Sequence, residues 1–133
     1  RLSLVGSEMC IRDRKITLLG ATGTRIDHLL GNIELLGIGL QNHIPIQIVD
    51  ERNRIRMIGA GITLEKEKQF GKFVSLIPYT NVVKGLTLTG FKYPLDHYDF
   101  KGFCSLGVSN EIIAESAEIA FEEGILIVIE ARD

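Results

Sequence analysis

The hydrophobic pattern changes character near residue 50, and the two halves predict different architectures. Ile16 to Leu19 is a compact apolar run ending at Gly20, the form of a buried parallel strand. Ile26, Leu29, Leu30, Ile33, Leu36 and Leu40 then recur at three- and four-residue spacings. That period predicts an amphipathic helix, fading around Gly37 to Gln41. Thr24 is its expected N-cap, with Asp27 three positions on. Pro45 opens a second strand, Ile46 to Val49. A strand–helix–strand unit of this length implies parallel strands joined by a right-handed crossover.

Asp50-Glu51-Arg52-Asn53 is charged and polar, the composition of a domain boundary. Beyond it, short strands alternate with turns. Ile55 and Met57 alternate with Arg54 and Arg56, Lys72 to Ile77 stops at Pro78, and Leu86 and Leu88 alternate with Thr87 and Thr89. Ala117 to Phe121 and Ile125 to Ile129 read as a final hairpin around Glu122-Glu123-Gly124. Such spacing suggests a β-sandwich or small barrel. The expected fold class is α/β plus all-β: a C-terminal remnant of a parallel α/β domain over 15–52, then an antiparallel β-sandwich over 53–133. One βαβ unit does not make a stable parallel sheet, because both faces need cover. Further sequence upstream is therefore expected.

Residues 1–14 fit neither half. The run begins with Arg rather than Met and shows no sustained period. It is similar to translated sequencing-adapter sequence, so it is expected to be a non-native tail and is set aside from fold reasoning.

Composition narrows the classes. In 133 residues, 45% apolar content suffices for a real core, and a net charge of −2 leaves no basic footprint for nucleic acid. No apolar run approaches a membrane span. The two cysteines, Cys10 and Cys104, make no disulfide framework, so a reducing, cytoplasmic setting is expected and Cys104 reads as a core or strand residue.

Three segments carry candidate chemistry. In Gly20-Ala21-Thr22-Gly23-Thr24-Arg25-Ile26-Asp27-His28 a strand, a glycine turn and a helix start meet. Backbone N–H groups there favour anions. Asp27 suits a hard cation such as Mg²⁺, and the planar fork of Arg25 suits phosphate oxygens. Helix capping alone would explain Asp27 but not Arg25, His28 and both glycines. A dinucleotide fold is the rival, weakened because Ile26 stands where a third glycine belongs. In Ser105-Leu106-Gly107-Val108-Ser109-Asn110-Glu111, the Asn amide suits a heterocycle with an amine beside a ring nitrogen, although taken alone the segment is better explained as an ordinary Asx or Ser turn. Gly90-Phe91-Lys92-Tyr93-Pro94-Leu95, followed by Asp96-His97-Tyr98, could line a pocket, but taken alone it reads as a loop between strands packed by its own aromatics. The three histidines and the cysteines lack zinc spacing.

Taken in order, these segments, with Ser75-Leu76-Ile77-Pro78 and the last strand, resemble the thiamine pyrophosphokinase family from about Lys15 to Asp133. Thr24 stands where that family often has glycine. The resemblance implies transfer of pyrophosphate from ATP to the hydroxyl of thiamine, giving thiamine diphosphate and AMP, with Mg²⁺. It implies a cytoplasmic homodimer with active sites shared between subunits, and no nucleic-acid or membrane partner. It assigns Arg25 and Asp27 to catalysis, Asp27 to the metal, and Gly23, Thr24, Arg25 and His28 to the nucleotide. Ser109, Asn110, Gly107 and Tyr93 fall to thiamine: Asn110 on the aminopyrimidine edge, and Tyr93 as a stacking ring in a chain without Trp. The family's other metal-binding aspartates have no counterpart here, so this chain by itself is expected not to turn over ATP. A non-catalytic thiamine- or nucleotide-binding module is the alternative.

Overall fold

A computed structural model of the protein describes residues 8–10 (backbone only), 15–20 and 25–133. It divides into two compact units, Arg1–Met57 and Ile58–Asp133. The protein is mostly β-sheet with one α-helix among the described residues.

The first unit holds β1 (Glu8–Cys10), β2 (Lys15–Leu19), α1 (Ile26–Gln41), β3 (Ile46–Val49) and β4 (Asn53–Ile58), the last residue of β4 passing into the second unit. β2 and β3 pair in parallel, with Leu18 opposite Ile48, and both side chains are buried. β1 joins β2, and β4 joins β3, in antiparallel fashion. The charged stretch expected between two domains is the turn of the β3–β4 hairpin. There Asp50 Oδ1 accepts the N–H groups of Arg52 at 2.8 Å and Asn53 at 2.6 Å. The turn is stable because a short carboxylate takes up backbone donors that the sheet leaves unpaired.

α1 matches the expected span, but its apolar stripe is only partly covered. Leu36 is buried along with Asn32 and Gly39, while Ile26 is 71% and Leu30 59% exposed. The helix also begins differently: its N-cap is Arg25, without a side-chain cap, rather than Thr24. Thr24 and Gly23 themselves lie outside the described residues.

The second unit is a sandwich of antiparallel strands: β5 (Ile62–Glu65), β6 (Phe73–Pro78), β7 (Val82–Thr89), β8 (Leu95–Lys101), β9 (Asn110–Glu111), β10 (Ser116–Ala120) and β11 (Leu126–Ala131). One sheet runs β11–β6–β9 and the other β5–β10–β7–β8. Val74, Leu76, Leu126 and Val128 from the first face Leu86, Leu88, Phe100 and Ile119 from the second, forming a continuous buried cluster. Burying side chains of this size is the principal stabilising term, at roughly 1.5–3 kcal/mol each.

The expected terminal hairpin does not form. β10 pairs with β5 and β7, whereas β11 pairs with β6 in the other sheet. A hairpin turn must bond to itself. Here the connection bonds elsewhere: the Ile125 N–H donates to Thr80 Oγ1 at 3.0 Å, and Lys84 N–H to the Glu123 carbonyl at 2.8 Å. The hydrophobic pattern marked both strands correctly but could not name their partners.

Candidate functional site

At the start of α1 the Arg25 guanidinium grips Asp27 through two bonds, Nε to Oδ1 at 3.1 Å and Nη2 to Oδ2 at 2.5 Å. Asp27 Oδ1 also accepts the His28 N–H at 2.9 Å. Both side chains of the pair stand in solvent, 66% and 61% exposed. The arginine fork holds the Asp27 carboxyl below the usual aspartate range, assisted by the His28 N–H and opposed by the small desolvation of the site. The arrangement joins a fixed positive fork to an ionised carboxylate at a helix N-terminus. Each half is accessible to a polar ligand. Among the described residues no group of three or more His, Cys, Asp or Glu is placed to hold a metal ion.

The second unit brings Gly107, Ser109, Asn110 and Tyr93 together. Val108 N–H bonds the Ser105 carbonyl at 3.1 Å, closing a turn that Leu76 N–H ties to the Gly107 carbonyl at 2.9 Å. A Cβ on Gly107 would run into the Leu76 carbonyl oxygen, so only glycine lets the turn lie against β6. Ser109 follows in left-handed backbone at φ 64, its N–H donating to Ser75 Oγ at 2.9 Å. Ser75 therefore orients the turn, a role the sequence carried no signal for, since the two residues are 34 positions apart.

Asn110 then turns inward and is only 5% exposed. Its register partner on β6 is Val74, also buried, while the neighbouring pair Phe73 and Glu111 face outward. Asn110 Oδ1 accepts the Tyr93 N–H at 2.9 Å and the Glu111 N–H at 2.9 Å, and Nδ2 donates to the Tyr93 carbonyl at 2.8 Å. The loop between β7 and β8 is thus held to the 110–113 segment. Its two aromatics part company: Phe91 is 3% exposed in the core, while Tyr93 is 58% exposed. The expectation of a loop packed on its own aromatics is corrected for Tyr93, whose ring faces solvent with the Lys92 ammonium 5.5 Å from its centroid. Lys92 and Lys72 flank Glu111, each 3.9 Å from one of its oxygens.

Cys104 is corrected as well. It is exposed, in the loop after β8, its sulfur accepting the Leu106 N–H at 3.4 Å. His97 takes left-handed backbone at φ 47 within β8, and its Nδ1 lies 2.6 Å from Asp96. An open cleft of about 560 Å³ lies elsewhere on the second unit, lined by Glu65, Lys66, Glu67, Ile113, Ala114 and Glu115, and it includes none of the expected site residues.

With this geometry in place, comparison with known proteins gives a consistent result. The family described as thiamin pyrophosphokinase, vitamin B1 binding domain, matches residues 61–126, the body of the second unit. The thiamine pyrophosphokinase of Bacillus subtilis (strain 168) is 40% identical over 119 residues, covering 89% of this chain and 55% of that protein. The crystal structure of the Bacillus subtilis enzyme superposes with a TM-score of 0.86 at 39% identity, over 90% of this chain and 56% of the other. That of the Geobacillus thermodenitrificans enzyme gives a TM-score of 0.81 at 41% identity, over 90% and 55%. Fold and site define a β-rich binding sandwich preceded by a strand–helix–strand unit. The chain is similar to thiamine pyrophosphokinases over nearly all of its own length, and it spans about half the length of the relatives it matches.

Proposed function

We propose that this chain is the C-terminal part of a thiamine pyrophosphokinase, which transfers the pyrophosphoryl group of ATP to the hydroxyl of thiamine. The match of the vitamin B1 binding domain over 61–126 carries the reading. In the reaction the thiamine hydroxyl oxygen bonds to the β-phosphorus of ATP, and the bond from that phosphorus to the α–β bridging oxygen breaks. The hydroxyl proton leaves and AMP departs with the bridging oxygen. Such a transfer depends on positioning and charge neutralisation rather than on covalent participation.

The residues have separable parts in this proposal. Arg25 offers its planar fork to phosphate oxygens, with the first turn of α1 adding backbone donors. Asp27, ionised and exposed, is the candidate acceptor for the hydroxyl proton. Tyr93 presents an exposed ring on which a heterocycle can stack, and the Ser109–Asn110 turn stands beside it. Gly23, Thr24 and His28 complete the nucleotide contacts that the resemblance assigns. Mg²⁺ enters with the ATP phosphates. Asp27 is already spanned by Arg25, and the described residues gather no carboxylate cluster to hold the ion. β2, α1 and β3 are read as part of a larger parallel α/β domain. A cytoplasmic homodimer with active sites shared between subunits completes the proposal. No helix of the described residues is long and apolar enough to cross a membrane.

The test is calorimetric titration of this chain with thiamine, run beside an assay for AMP release from ATP. We expect thiamine binding without turnover. A chain that ignores thiamine overturns the reading of the second unit. AMP release by the chain alone would show that the single carboxylate suffices, and it would reject the non-catalytic binding module at the same time.

A further inference from the structure

We propose that Asn110 is a positioning residue: its buried carboxamide clamps the Tyr93 peptide and thereby sets where the Tyr93 ring stands. The amide orientation follows from its partners. The Tyr93 and Glu111 N–H groups can only donate, so both require the Asn110 oxygen, and the Tyr93 carbonyl can only accept, so it requires the nitrogen. A carboxamide offers two lone pairs and two N–H bonds. Three of these four are engaged within the protein, both lone pairs among them, so one N–H remains for anything else. A direct recognition role on an aminopyrimidine, which needs an acceptor as well as a donor, is not open to the clamped group.

The clamp falls where the backbone cannot provide one. The loop is strapped to the 110–113 segment by Ile113 N–H to the Gly90 carbonyl at 2.9 Å, by the Phe91–Ile112 bridge and by Lys92 N–H to the Glu111 carbonyl at 2.8 Å. Pro94 follows Tyr93 and has no N–H, so the ladder cannot continue past it. The side chain of Asn110 supplies the final rung, bonding both the N–H and the carbonyl of Tyr93 as an opposing strand residue would. Burial makes the rung count, since removing the amide strands three backbone groups at once. Tyr93, by contrast, is 58% exposed, and its ring meets the flexible Lys92 ammonium at 5.5 Å, so its peptide is the fixed point from which the ring projects.

The functional half of this inference rests on the reading of Tyr93 as the stacking ring for thiamine. The structural half does not. Hydrogen exchange of the Tyr93 and Glu111 amides is measured in the whole chain for the unaltered protein, Asn110→Ala and Asn110→Asp, with the Ile119 and Val128 amides as core controls. Thiamine is titrated into each. Asn110→Ala is expected to speed exchange at Tyr93 and Glu111 by about ten-fold or more, with the controls unmoved, and to weaken thiamine by about ten-fold. Asn110→Asp distinguishes a clamp from general loosening. Its ionised carboxylate repels the Tyr93 carbonyl, whereas the protonated acid donates to it. Affinity and Tyr93 protection, each relative to the unaltered protein, should therefore recover as pH falls through the titration of that acid. Weakened thiamine with unchanged Tyr93 exchange overturns the proposal, because Asn110 would then act on the ligand directly. So does unaltered binding in both variants. If the unaltered chain binds no thiamine, the functional reading fails, and the exchange result alone decides the clamp.

Discussion

The two candidate sites are built on opposite principles. Arg25 and Asp27 pair in solvent, with both side chains more than half exposed. Asn110 and Tyr93 pair through a buried amide that replaces a strand. An exposed ion pair stabilises a fold little, because water and salt compete for each partner. For the same reason its partners can exchange one another for a ligand. A buried amide network cannot exchange partners cheaply, so it suits the holding of geometry. Charge chemistry and shape are thus assigned to different units, and the cost of altering each should differ in kind.

The largest effect expected from this contrast is on turnover. In a full-length enzyme carrying this segment, replacing Arg25 and Asp27 together by alanine should lower AMP release by about 10²–10³-fold, the usual loss when a preorganised charge is removed. The melting temperature should stay where it was. Normal turnover in that variant would remove the first site from the mechanism. A large fall in melting temperature would show that the pair is part of the fold after all.

Gly107→Ala should give the reverse pattern. The added methyl group meets the Leu76 carbonyl and the edge of the Phe100 ring, so the turn must lift from β6. Overpacking of this kind costs about 1–3 kcal/mol. It is measured as a shift in denaturant midpoint at constant slope. Thiamine affinity should fall with it, since the same turn carries Ser109 and Asn110. An unchanged midpoint would mean that the close approach is not maintained in solution.

The same division governs what could be read from the chain. Apolar runs found β2 and β3, and the helical period found α1 even though its stripe is only partly covered. Alternation found β6, β7 and β10, and a continuous apolar run found β11. β8 escaped, since it is an edge strand that fully buries only Phe100 and half-buries Leu95, with exposed residues from Asp96 to Asp99 between them. β9 is two residues long, too short for any period. At the first site, Arg25 and Asp27 lie two positions apart, so their shared place at the helix start was accessible to local reasoning, although their bond to each other was not foreseen. At the second, Ser109, Asn110 and Tyr93 were legible through family resemblance. The amide clamp was not, because it joins residues 17 positions apart, one in the β7–β8 loop and the other on β9. Ser75 stood in a segment of the resemblance, but its bond to the Ser109 N–H, 34 positions away, carried no local signal. Cys104 misled because cysteine is usually buried, and here it sits in a loop.

The smallest effect is a titration, and it probes the exposed pair directly. The guanidinium of Arg25 keeps the Asp27 carboxyl below its usual range. A carboxylate lowered on folding favours the folded state above the ordinary aspartate value, about 4, and that contribution is lost as pH falls through the lower folded value. Because the pair is exposed, the effect on stability is slight and shrinks with salt. The carboxyl itself still reports it. By NMR, Arg25→Gln should raise the Asp27 midpoint toward the ordinary value, and high salt should move the unaltered protein part of the way. ATP should raise it too, since phosphate oxygens would draw the fork away and bring negative charge close. A midpoint that ignores Arg25→Gln would show that the two side chains do not hold each other in solution, and the contrast between a movable site and a fixed one would lose its first term.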